Sequence, residues 1–147
     1  MISRSGSGSN TRVASESDPS ELFTLATSAA YGCAIGALVR FEVSRRIADC
    51  FGDAFPWGTL AVNIIGCLAA GVLLVLIDAS ASPAWVAFLG AGVLGGYTTV
   101  SSFSLETVLM FRRGRSTHAV AYVAASLFGC IAAAGLGAGL AWRLSAG

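Results

Sequence analysis

The sequence predicts an all-α membrane protein of four transmembrane helices, the third broken in mid-membrane. Three observations lead there. Hydrophobic residues make up 55% of the 147-residue chain and charged residues only 12%, half the roughly 25% of a soluble domain. The apolar residues fall in long blocks rather than in the alternations of a soluble core, enough for four crossings of about twenty residues each. One block holds the run Gly95-Gly-Tyr-Thr-Thr-Val-Ser-Ser-Phe-Ser104, built from glycines and hydroxyls. In lipid every backbone N–H and C=O needs a partner inside the protein, so such a run breaks its helix against neighbouring protein. The break exposes carbonyls and amides near the midplane, where membrane proteins place ion sites.

Residues 1–21 are Ser, Gly, Arg and acids with almost no apolar content and read as a disordered tail. They lack the apolar stretch of a signal peptide. The membrane domain covers 22–142, and its first span runs about 22–41. Gly32 and Gly36 within it have the small-xxx-small spacing that lets helices approach closely. Arg40 either snorkels to the interface or marks an anion vestibule, and spacing alone favours snorkelling. Arg45, Arg46, Asp49 and Asp53 then make a polar loop, ended by Pro56-Trp57, an interfacial aromatic.

The second span, about 58–77, carries Thr59 and Asn63, then Gly66, Ala70 and Gly71 on a small-residue face. An amide in hydrocarbon must hydrogen-bond to something, so Asn63 serves as helix–helix glue or faces a wet cavity. After a short polar turn at 78–83, the third span reaches from about 84 to 111, too long for one unbroken crossing. A break around Gly95–Thr99 turns it into two half-helices. Glu106 follows Phe103 by three and shares its face.

The fourth span, about 119–142, places Tyr122, Ser126 and Cys130 four apart on one stripe. A hydroxyl on a membrane helix can instead bond to its own backbone. Residues 143–147 form a short C-terminal tail.

Other chemistry is thin. Cys33, Cys50, Cys67 and Cys130 contain no CxxC pair and read as small packing residues. His118 lies beside Arg115 in a loop and reads as solvated. No HExxH, GxSxG or phosphate-loop pattern occurs, so the chain is not expected to be an enzyme. A net charge of +1 argues against nucleic acid as a partner. The intramembrane polar groups are amide, hydroxyl and phenol, without the titrating midplane carboxylate that a proton-coupled carrier needs. They suit a small, strongly hydrated anion, whose water they can replace, helped by the electropositive edges of aromatic rings. Carbonyls freed at the break suit a cation.

Gly58-Thr-Leu-Ala-Val-Asn63, Gly95-Gly-Tyr-Thr-Thr-Val-Ser-Ser-Phe-Ser-Leu-Glu106 and Gly36-Ala-Leu-Val-Arg-Phe41 together resemble the small fluoride channels of the CrcB/Fluc family. The resemblance spans about residues 30–142. It implies an antiparallel dimer in a bacterial inner membrane, two fluoride pathways, and a structural, non-transported Na⁺ at the dimer centre. By resemblance, the backbone carbonyls of Gly95 and Thr98 hold that Na⁺ and Asn63 is the pore amide. Phe103 meets fluoride edge-on, and Tyr122 and Ser126 belong to a polar track, with Thr59, Ser102, Ser104 and Glu106 close to the same path. Val100 departs from the pattern, standing where the family usually has a phenylalanine. Cys130 and Ala134 stand where hydroxyls are commoner.

All nine basic residues are Arg, six of them at the 1–2 and 3–4 loops and the adjoining span ends. Positive charge sets orientation, so these loops are expected in the cytoplasm. The chain then pairs with itself or with an oppositely oriented paralogue. Two alternatives stand beside this reading. A small four-helix multidrug/proton antiporter needs an acid in its first helix, and residues 22–39 have none. The other is a non-conducting accessory subunit of a heterodimeric channel.

Overall fold

The computed structural model describes residues 18–52, 54–77 and 81–145. Four helical segments in it are long and apolar enough to cross a bilayer, and every regular element among the described residues is helical.

Helix α1 spans Pro19–Phe51, with Asp18 as its N-cap accepting from the Ser20 N–H. The expected tail 1–21 thus falls outside the described residues up to 17, and its last three residues are helical. At 33 residues, α1 is about 50 Å long at 1.5 Å per residue, well beyond a hydrocarbon core of about 30 Å. It runs through Arg45, Arg46 and Asp49, where the sequence suggested a loop. The cause is local: Glu42 pairs with Arg45 three residues on and Arg46 four residues on, and Arg45 with Asp49. Such pairs sustain a solvated helix beyond its apolar face. Gly52, at φ 75°, ends it.

Helix α2 is Trp57–Leu76. Part of the expected 78–83 turn lies outside the described residues. The third segment opens with α3, Pro83–Val86, continues as a π-helix over Ala87–Leu94, and closes with α4, Gly95–Tyr97. Thr98 and Thr99 are extended (ψ 154° and 117°) and form the break. Helix α5, Val100–Arg112, is the second half. Helix α6 runs Ser116–Ser145, three residues into the expected C-terminal tail, whose last two residues lie outside the described ones.

Two backbone approaches organise the bundle. Gly32 of α1 meets Gly92 of the third segment, Gly96 meets Cys33, and Gly36 sits so close that a Cβ on it would collide with the Val93 carbonyl. Gly71 and Gly137 do the same for α2 and α6, against the carbonyls of Ala134 and Leu68. Small residues gain packing and close approach where lipid gives helices no hydrophobic drive to associate. Leu60, Met110, Ala119 and Tyr122 form the buried core, flanked by Phe55, Ile64 and Phe103.

Candidate functional site

The break is built by backbone chemistry. Thr98 closes the first half-helix, its N–H and its hydroxyl both donating to the Leu94 carbonyl. Thr99 opens the second as N-cap, its Oγ1 accepting from the Ser102 N–H at 3.2 Å, the usual role of a Thr at a helix start. Asn63 reaches across from α2. Its Oδ1 accepts from the Thr99 N–H at 2.9 Å and its Nδ2 donates to the Thr99 carbonyl at 3.1 Å. An amide side chain thereby replaces a stretch of helix, meeting the demand that no backbone group in a bilayer be left bare.

The clamp has a consequence at two other carbonyls. In an unbroken helix the Thr99 N–H would go to Gly95 C=O and the Ser102 N–H to Thr98 C=O. Here the first goes to Asn63 and the second to the Thr99 hydroxyl. Gly95 and Thr98 are left without those donors. Their carbonyls are hard neutral oxygen, which suits Na⁺ rather than a soft metal.

Helices α2 and α6 run parallel and in register. Gly71 lies against Ala134, and stepping back four residues at a time along each helix aligns Cys67 with Cys130, Asn63 with Ser126 and Thr59 with Tyr122 as successive rungs. The first rung is closed by Glu106 of α5. Its Oε1 accepts from the Thr59 hydroxyl at 2.8 Å and its Oε2 from the Tyr122 hydroxyl at 2.7 Å. Tyr122 is fully buried between two rings, Phe103 at 5.3 Å between centroids and Phe55, edge-on, at 5.5 Å.

Two openings flank this rung. On one side is a lateral groove of about 480 Å³, lined by Asn63, Cys67, Val100, Phe103, Ser126 and Cys130, with Thr98 and Thr99 at the break. Ser126 Oγ is buried there without a hydrogen-bond partner, and Val100 is 78% exposed at the rim. On the other side is a cavity of about 200 Å³ reaching Thr59 and Glu106, with Arg113 and Arg115 among its lining residues.

Most residues singled out in the sequence therefore converge. Asn63, Thr98, Val100, Phe103 and Ser126 meet in the groove, Thr59, Glu106 and Tyr122 in the first rung, and Ser102 at the cap. Two stand apart. Ser104 is exposed and lines neither opening. Arg40 is half-buried, its Nε has no partner, and it too lines neither. Sequence reasoning missed Thr99, the residue that both caps α5 and takes the Asn63 clamp. A Thr three residues before Ser102, directly after a glycine-rich run, was the available signal.

Residues 27–138 match the family described as CrcB-like protein, camphor resistance. The chain belongs to the CrcB-like family. It is 46% identical over 108 residues to the fluoride-specific ion channel FluC of Sphingopyxis alaskensis, covering 72% of this chain and 86% of that relative. It is 44% identical over 100 residues to FluC of Rhizobium johnstonii (67% and 80%). To FluC of Xanthomonas axonopodis pv. citri it is 43% identical over 103 residues (69% and 77%). These CrcB-like relatives are bacterial and are named as ion channels, not enzymes. With four spanning helices, this chain is a multi-pass protein of the bacterial inner membrane.

Proposed function

We propose that the chain is a subunit of a fluoride-selective channel that exports fluoride passively, down its electrochemical gradient. The observation that carries this reading is the polar ladder between α2 and α6 beside the helix break. It sets hydroxyls, an amide and an aromatic ring along one path, in a chain whose relatives are named fluoride-specific ion channels. Neutral donors can replace the water of a small anion without the fixed positive charge that would trap it. In this reading Asn63 does two things, holding the break with two of its hydrogen-bonding positions and offering its remaining N–H to the groove.

The groove supports a dimer. It holds polar atoms at a depth where lipid cannot satisfy them, and a second subunit supplies the cover. We place a structural, non-transported Na⁺ at the dimer centre, held by the carbonyls of Gly95 and Thr98 from each subunit. The loss of their helical donors at those two oxygens supports this. When bound, the ion supplies a fixed positive charge at the break.

The second subunit is either another copy, inserted antiparallel, or an oppositely oriented paralogue. Arg45, Arg46, Arg112, Arg113 and Arg115 cluster at the α1–α2 and α5–α6 ends, which favours a single orientation for this chain. Val100 favours the same pairing, since a subunit contributing one fewer aromatic edge suits a dimer in which one pathway is not used. Fluoride efflux from liposomes tests the assignment. Phe103→Ile abolishes flux if Phe103 lines the conducting path, and Val100→Phe maintains or raises it. Unchanged efflux from Phe103→Ile, or a clear loss from Val100→Phe, contradicts these roles.

A further inference from the structure

The third rung of the ladder differs in chemistry from the first two. Where the others carry hydroxyls or an amide, it carries two thiols, Cys67 on α2 and Cys130 on α6. Their opposition follows from the backbone. Gly71 sits against the Ala134 carbonyl, and on parallel helices the residues one turn before that contact are Cys67 and Cys130. Gly129, beside Cys130, touches Ile64, three residues before Cys67, which fixes the register from the other side. Both thiols are half-buried in the lining of the same groove. Ser126 Oγ, one turn before Cys130 and facing the same space, is buried without a partner.

We propose that Cys67 and Cys130 form a two-thiolate site for a soft, thiophilic metal ion, with Hg²⁺ as the fitting case, and that its occupancy blocks the groove. The blocking half rests on the channel reading; the binding half does not. Thiolates select soft metals. On binding, each thiol gives up its proton to solvent, two metal–sulfur bonds form, and no electron is transferred. With a divalent ion the product is neutral, which matters in a groove walled by Val100, Val123 and Leu127, because a net charge there is costly. A monovalent ion would leave a negative complex. Zn²⁺ calls for about four ligands, and no cluster of three or more His, Cys, Asp or Glu exists among the described residues. Ser126 Oγ is placed to add a weak third contact.

The test uses the full chain carrying Cys33→Ser and Cys50→Ser, two exposed thiols outside the groove. HgCl₂ is titrated into purified protein and read by sulfur-to-mercury charge-transfer absorption, in competition with a monothiol. One Hg²⁺ per chain is expected to resist the monothiol. Adding Cys67→Ser or Cys130→Ser lowers the apparent affinity by about a hundredfold or more, the usual scale for losing an intramolecular second contact. Cys67→Ala and Cys130→Ala serve if a serine variant does not elute as folded protein. Either single variant holding Hg²⁺ as tightly as the background overturns the site. In liposomes, HgCl₂ is expected to stop fluoride efflux, and a dithiol to restore it. Mercury bound through both thiols with undiminished efflux overturns the block. If untreated protein passes no fluoride, the channel reading fails, and the titration still decides the site.

Discussion

Replacing Asn63 with alanine removes both hydrogen bonds that hold Thr99 at the break, those of 2.9 and 3.1 Å. Nothing else among the described residues bonds the Thr99 N–H, and Thr99 is buried, so the variant leaves an amide proton bare. A buried unsatisfied backbone group costs about 1–3 kcal/mol, while a side-chain hydrogen bond in a membrane protein averages about 0.6 kcal/mol, with a maximum near 1.7. The two scales together put the loss at about 2 kcal/mol. For a chain of this size that lowers the apparent Tm by about 4–8 °C. The Thr99 N–H can regain a partner by turning back to Gly95 C=O, which would withdraw one of the two oxygens assigned to Na⁺. Asn63→Ala is therefore expected to lose stability and fluoride flux together, and to lose the part of its thermal stability that depends on added Na⁺. Asn63→Asp, which keeps the acceptor for the Thr99 N–H but sets a carboxylate against the Thr99 carbonyl, should fall between. Thermal melting in detergent with and without Na⁺, run beside efflux from liposomes, reads all three effects. A variant with unchanged Tm and unchanged flux would show that Asn63 does not hold the break.

Further outcomes follow from the same geometry. Gly36→Val drives a side chain into the Val93 carbonyl, where overpacking costs about 1–3 kcal/mol or more; it should yield aggregated rather than monodisperse protein by size exclusion. Tyr122→Phe keeps the ring stack with Phe103 and Phe55 but takes one donor from Glu106. A loss of about 1 kcal/mol in thermal stability is expected, together with lowered flux. Reporter fusions at the C-terminus should report one orientation, with the arginine-rich loops inside, and equal populations on both sides would contradict it.

The number of spans and the broken third helix were legible in the sequence because both follow from composition. Lipid forbids unpaired backbone, so a run of Gly, Thr and Ser inside an apolar block signals a break without any knowledge of neighbours. The length of α1 was not legible in the same way. Apolar content ends near Phe41, and the extension to Phe51 is held by charge pairs on a solvated face. The π-helix over Ala87–Leu94 left no mark that composition or periodicity could show. The stripe Tyr122, Ser126, Cys130 could be read from spacing alone. Its partners could not, since the match with Thr59, Asn63 and Cys67 depends on how far α6 slides along α2, which the glycine contacts at Gly71 and Gly137 decide. Asn63 was open between holding helices together and facing a wet space. The structure adds that its amide bonds to backbone at the break, a partner no side-chain pattern on α2 could announce.

The claim at the centre of this account is that the chain conducts fluoride, and efflux of fluoride from liposomes holding the purified protein, alone and with any paralogue, tests it most directly. The account predicts electrogenic efflux that accelerates when a potassium ionophore relieves the voltage, excludes chloride and gains nothing from a proton gradient. Liposomes that retain their fluoride under those conditions would contradict it.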